Sequence, residues 1–291
     1  MNDNAITLHD GRKLGFAEYG KPDGIPLLLF HGTPGSRIIG ALENVPWTEK
    51  PGMRVITPER PGYGLSDPAP GRTIGDWAHD IEELADQLGL DRYHVAGGSG
   101  GGPYALACAI HSPARVLSAT LICSGAPPEV MPISKDMQRG NRMVFFLARY
   151  APFLLKLLFA HQARAMTKYP ERIAAKIRSG FPEPDRALMN DKKVKNMMLQ
   201  MSEAFRQGGD GTYRDLLLVA RRWHLDLDKI AVPVFMWHGE ADTLVPFSAA
   251  EKFSTMIPGC EAHFLPGAGH QLLASEETAS QMVGRMLSVS A

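Results

Sequence analysis

The chain has 291 residues, 44% of them apolar and 21% charged, an ordinary globular composition that argues against disorder. Basic and acidic residues number 31 each, which argues against a general nucleic-acid binder. The first residues lack a signal-peptide pattern, and no apolar stretch reaches the about 18 residues of a spanning helix. Cys108, Cys123 and Cys260 show no metal-ligand spacing, so they read as buried thiols in a reducing cytoplasm.

In chain order, Asp10-Gly11 between the apolar segments 6–9 and 14–19 predicts an antiparallel hairpin. Short apolar runs follow at 26–30, 54–57, 93–96, 116–123, 233–237 and 261–265. They are continuous rather than alternating, as parallel strands buried on both faces require. Helical spacing fills 73–88, 102–110, 248–256 and 276–287 between them. Strands alternating with helices predict an α/β protein with a doubly wound, mostly parallel sheet and a small antiparallel edge.

Residues 127–228 break this rhythm. They are helical in tone with no convincing strand, far more chain than one crossover needs. The segment is expected to form a helical cap inserted between the sixth and seventh core strands, leaving a core of 1–126 and 229–291. Residues 128–228 carry a net charge of +7 and the remainder −7, and the segment holds 8 of the 14 methionines. The methionines read as flexible packing or as an adaptable apolar pocket. For the charge, one reading has Arg139, Arg142, Arg149, Lys156 and Arg164 steering anions at a pocket mouth. The favoured reading has the apolar positions between 144 and 159 lining an acyl pocket, with the basic side chains reaching outward.

The central chemical signal is Gly97-Gly98-Ser99-Gly100-Gly101 between a predicted strand and a predicted helix. A serine at such a turn is held in a strained conformation that projects its hydroxyl, and its neighbours must be small. The glycine run 100–102 is expected to loosen this turn. Gly100, Gly102 and Ala105 also fit a loose dinucleotide fingerprint, but no acidic residue follows at the required distance.

A nucleophilic serine needs a base and the base an orienting acid. His270, in the glycine-rich loop 266–270 after the last predicted strand, is the base candidate. Asp242, in the turn 238–246, is the acid candidate, preferred over Glu240 because it lies deeper in that turn. The order serine, aspartate, histidine is the one used by doubly wound hydrolases. Thr33, in the loop 31–35 after the third strand, and Gly100 are the candidate oxyanion donors. His31 reads as a residue that holds this loop, and Ser66, lacking the elbow spacing, as structural. Metal and nucleotide motifs are absent from the sequence, so no cofactor or metal is expected.

Loop 31–35, the turn Arg60-Pro61-Gly62-Tyr63-Gly64-Leu65-Ser66, the elbow around Ser99, Asp242 and His270 together resemble the α/β-hydrolase fold superfamily over essentially the whole length. That resemblance implies an eight-stranded sheet, a helical cap and cofactor-free hydrolysis through a serine ester. Serine at 99 differs from the aspartate of haloalkane dehalogenases and epoxide hydrolases. Loop 31–35 and Gly97-Gly98-Ser99 look somewhat like proline iminopeptidases, but Gly100 stands where that group carries tryptophan. The expected function is cytoplasmic serine hydrolysis of a small-molecule substrate, foremost a small or medium acyl ester. An aminopeptidase, a lactonase, a carbon–carbon bond hydrolase and a ligand-binding receptor are the alternatives.

Overall fold

The computed structural model describes residues 2–41 and 52–289. Strands β1 (Asn2–Thr7), β2 (Lys13–Gly20), β3 (Ile25–Phe30), β4 (Met53–Pro58), β5 (Tyr93–Gly98), β6 (Val116–Ile122), β7 (Val234–Gly239) and β8 (Glu261–Leu265) form one sheet. Their order is β1-β2-β4-β3-β5-β6-β7-β8. The pairings of β1 with β2 and of β2 with β4 are antiparallel. The remaining pairings are parallel. Helices α1 (Asp76–Gln87) and α2 (Gly102–His111) follow β4 and β5. Between β6 and β7 lie α3 (Arg139–Tyr150), α4 (Pro152–Lys168), α5 (Pro170–Gly180), α6 (Glu183–Leu188), α7 (Asp191–Ala204) and α8 (Asp210–Val219). Helices α9 (Phe247–Thr255) and α10 (Glu276–Leu287) follow β7 and β8.

The alternation of side chains along β3 shows why its run is apolar throughout. Leu28 and Phe30 point to one face, into a cluster with Trp77, Ile81 and Leu84 of α1 and Leu106 of α2. Leu27 and Leu29 point to the other, against Ala279, Val283 and Met286 of α10. Each fully buried leucine of this kind contributes about 1.5–3 kcal/mol of transfer free energy. A reciprocal side-chain pair closes the turn that leads into α1, and a side-chain cap starts α10. Thr73 Oγ1 accepts the Asp76 N–H at 3.2 Å while Asp76 Oδ2 accepts the Thr73 N–H at 2.8 Å. Ser275 Oγ accepts the Thr278 N–H at 3.3 Å ahead of α10. The sheet therefore has helices on both faces, and its carboxyl edge carries the loops that hold Ser99, Asp242 and His270.

The helices between β6 and β7 have a small core of their own, in which Ala148, Leu155, Phe159 and Ala163 of α3 and α4 meet Phe205 and Leu216. The three cysteines are free thiols. Cys108 and Cys123 are buried as expected, whereas Cys260 is only partly so.

Candidate active site

β5 runs into the elbow at Gly98, and Ser99 takes a left-handed φ of 52° before α2 begins at Gly102. A non-glycine residue in that region is strained, and the surrounding packing holds it there. A Cβ on Gly97 would run into the carbonyl of Gly101, and one on Gly102 into the Ser124 side chain. At Gly101 a Cβ would come within 2.5 Å of the Phe30 carbonyl oxygen and 2.7 Å of that of His31. The glycine run thus fits close-packed slots and anchors the turn, the opposite of the loosening expected from composition. The N-terminus of α2 directs its amide dipoles toward the same place.

Thr33 and Gly100 lie on facing segments. A Cβ added at Gly100 would come within 2.5 Å of Thr33 Oγ1 and 3.4 Å of the Thr33 backbone nitrogen. A bulkier residue at 100 would push the two candidate donors apart. Gly32 adjoins the serine, since a Cβ there would be 3.4 Å from Ser99 Cβ.

The loops after β7 and β8 bring Asp242 and His270 together, with Nδ1 of His270 donating to Asp242 Oδ2 at 2.7 Å. The other carboxylate oxygen accepts the backbone N–H groups of Leu244 (2.8 Å) and Val245 (3.0 Å), which fixes its orientation. Burial pushes the Asp242 carboxyl up, but the charge and hydrogen bond of His270 outweigh it and leave it below the usual carboxylate value. Burial alone would lower the His270 pKa. The charge and hydrogen bond of Asp242, with a smaller push from Asp185, raise it above its ordinary value. Glu240 is exposed and takes no part in this pair. His238 approaches Asp242 Oδ2 at 3.5 Å, but its Nε2–H donates to the Val245 carbonyl at 3.0 Å and burial keeps its pKa low.

His31 holds its loop from within. Its Nδ1–H donates to the Gly32 carbonyl at 2.8 Å and its Nε2 accepts the Arg60 N–H at 3.2 Å. Burial first, and then the Arg60 charge, keep it neutral. Ser66 is structural, donating to the Glu59 carbonyl at 2.6 Å and accepting the Gly15 N–H at 2.9 Å.

Three residues at the site carried no sequence signal. Asp215 of α8 is fully buried and accepts from Arg60 Nε (2.7 Å), Tyr63 Oη (3.0 Å), Tyr104 Oη (2.9 Å), Thr33 Oγ1 (3.2 Å) and Arg72. Arg60 also donates to the carbonyls of His31 (2.5 Å) and Gly32 (2.8 Å), so one cluster ties α8 to the candidate oxyanion loop. Asp185 of α6, also fully buried, accepts the Gln271 N–H at 2.8 Å next to His270. Cys123 has a φ of 44° just after β6, and its Sγ lies 3.7 Å from the Gly269 carbonyl oxygen.

Cys123, Asp242 and His270 approach one another within 4.8 Å, as do His79, Glu82 and His111 on the surface. In the first group burial pushes the Cys123 thiol well up, away from the thiolate a metal needs, and Asp242 and His270 already bond each other. In the second, Glu82 is bonded to Ser112 at 2.7 Å and His111 at 3.1 Å.

Ser99 and His270 line one cavity of about 300 Å³ together with Gly32, Thr33, Phe181 and Met201. A second cavity of about 90 Å³ lies on the Gly100 side, lined by Ser99, Gly100, Phe145, Leu216 and Val219. Arg139, Arg142, Arg149, Lys156 and Arg164 line neither. Of the apolar positions 144–159, Phe145 alone reaches these two cavities. The larger one takes its helical wall from Ile177 and Phe181 around α5 and from Met197 and Met201 of α7, so methionines do line it.

Sheet order, crossover helices and a strained serine on the turn between β5 and α2 define an α/β protein of hydrolase architecture. Residues 25–276 match the alpha/beta hydrolase fold family, and the chain belongs to it. It is similar to the uncharacterized hydrolase YcgS of Bacillus subtilis (strain 168), with 27% identity covering 93% of this chain and 92% of that one. It is also 25% identical to the bifunctional esterase/perhydrolase DCH of Acinetobacter calcoaceticus, covering 93% of this chain and 94% of the relative. Among solved structures, a putative acyltransferase from Salmonella enterica superposes with a TM-score of 0.75 at 22% identity, covering 98% of this chain and 94% of that one.

Proposed function

We propose that the protein is a serine hydrolase, foremost a carboxylesterase for small or medium acyl esters, working through Ser99, His270 and Asp242 in the cytoplasm. The observation that carries this reading is that Ser99, at its left-handed φ, shares a cavity with a histidine whose Nδ1 is bonded to a buried aspartate. With Nδ1 committed to Asp242, Nε2 is the nitrogen left to take the Ser99 proton as Oγ attacks the acyl carbon. The backbone N–H groups of Thr33 and Gly100 would receive the developing oxyanion. The imidazolium then protonates the leaving alcohol, and water attacks the serine ester with His270 again as base. Residues 127–228 act as a cap over this cavity.

The similarity to an esterase/perhydrolase supports the ester reading, and the mainly apolar lining supports neutral substrates. A fluorophosphonate probe is expected to label Ser99, and Ser99→Ala to abolish labelling and lower ester turnover by roughly 10⁴-fold or more with the fold intact. Turnover near the wild-type level in Ser99→Ala would overturn the nucleophile assignment.

A further inference from the structure

Large apolar side chains left in solvent are concentrated in one place. Met143, Phe146 and Tyr150 of α3 and Phe153, Leu154 and Leu157 of α4 are each between 51% and 69% exposed. They do not serve the fold. The inner faces of the same two helices already bury Ala148, Leu155, Phe159, Ala163 and Met166 in the local core. The Phe146 and Tyr150 rings lie 5.0 Å apart, and the turn at Ala151 joins this strip to that of α4. Contiguous exposed apolar surface of this kind marks an interaction site.

The charge on the same helices selects the partner. From 137 to 170 the sequence has no acidic residue and six basic ones, Arg139, Arg142, Arg149, Lys156, Arg164 and Lys168. All but the partly buried Arg142 are exposed, and the pair of Lys156 with Asp210 of α8, at 3.6 Å, is itself solvent-facing. A second copy meeting this face symmetrically would bring two net-basic surfaces together, which opposes association. An anionic bilayer accepts both features. Aromatic and leucine side chains enter the boundary between headgroups and acyl chains, and arginine and lysine reach the headgroups. No helix among the described residues is long and apolar enough to cross a membrane, so the fit is to its surface.

We propose that the outer face of α3 and α4 docks the protein onto an anionic lipid surface, with Phe153, Leu154 and Leu157 inserted and the basic residues around them at headgroup level. This is independent of the proposed hydrolysis. None of the inserted residues lines the Ser99 cavities.

Flotation of the full chain with vesicles tests the proposal. The wild type is expected to float with phosphatidylglycerol/phosphatidylcholine vesicles at low salt and much less with phosphatidylcholine alone. Phe153→Ser/Leu157→Ser and, separately, Arg149→Gln/Lys156→Gln are expected to lower partitioning at least about 10-fold. These variants should retain the wild-type circular dichroism spectrum and turnover of a soluble ester. Failure of the wild type to float with the anionic vesicles at low salt overturns the proposal. So does equal binding to phosphatidylcholine alone, or a wild-type dimer that the serine variant converts to a monomer.

Discussion

Asp215 and Asp185 are both fully buried carboxylates that reach from the helices between β6 and β7 into core loops, yet their surroundings differ sharply. Asp215 meets two guanidinium groups, two phenols and a threonine hydroxyl. Burial pushes its pKa up, but the charges of Arg60 and Arg72 reverse this and hold it well below the usual carboxylate range. Asp185 has one backbone N–H on Oδ1, and its Oδ2 is buried with no hydrogen-bond partner. One carboxylate is compensated and acts as a fastener. The other lies close enough to Cys123 and His270 to raise the pKa of each. The contrast separates a buried carboxylate that fastens structure from one that shifts the pKa of a neighbouring histidine.

The largest expected effect lies at the carboxylate that touches His270. Asp242→Asn should lower kcat by about 10⁴-fold, because the amide cannot orient or stabilise the imidazolium. Glu240→Gln, on an exposed side chain, should stay within about twofold; equal losses would mean that burial and pairing are poor guides to role here.

Asp215→Ala comes next, because it strands two buried guanidinium groups. Urea unfolding at pH 7 should show a loss of about 3–5 kcal/mol, and a loss below about 1 kcal/mol would remove the contrast with Asp185. The sign with pH follows from the depressed pKa. The contribution is present above the unfolded carboxylate value of about 3.9 and is lost as pH falls through the lower folded value, so the gap from Asp215→Asn should narrow in acid.

The smallest effect is the most diagnostic. Asp185→Asn should change stability by no more than about 1 kcal/mol, since an uncompensated charge is removed. It should also move the acid limb of kcat/KM to lower pH, because a charge that raises the His270 pKa is gone. An unmoved limb would reduce Asp185 to a loop anchor.

The strands and the elbow were legible because local geometry dictates them. Continuous apolar runs need two covered faces, and glycines around Ser99 answer collisions with residues a few positions away or on the adjacent loop. The closeness of Asp242 and His270 was legible for a related reason, as both follow strands that end at the same sheet edge. Asp185 and Asp215 were not, because an aspartate in an amphipathic helix reads as a solvated charge. Nothing near Asp215 in sequence announces Arg60, 155 positions away. The apolar stretch 144–159 was expected to line the pocket, but α3 and α4 are apolar on inner and outer faces alike. Helical periodicity cannot say which face turns inward when both are greasy.

The Asp215 cluster also bears on how such a protein can be recombined. Its members come from loop 31–35, from the turn after β4, from Arg72, from Tyr104 of α2, and from a single helix between β6 and β7. A chimera that exchanged residues 127–228 for a foreign segment would inherit two arginines wanting an anion at one fixed point. Modular exchange at this locus therefore carries a compatibility rule: the donor segment must present a carboxylate where α8 does, or the recipient must give up Arg60 and Arg72 together.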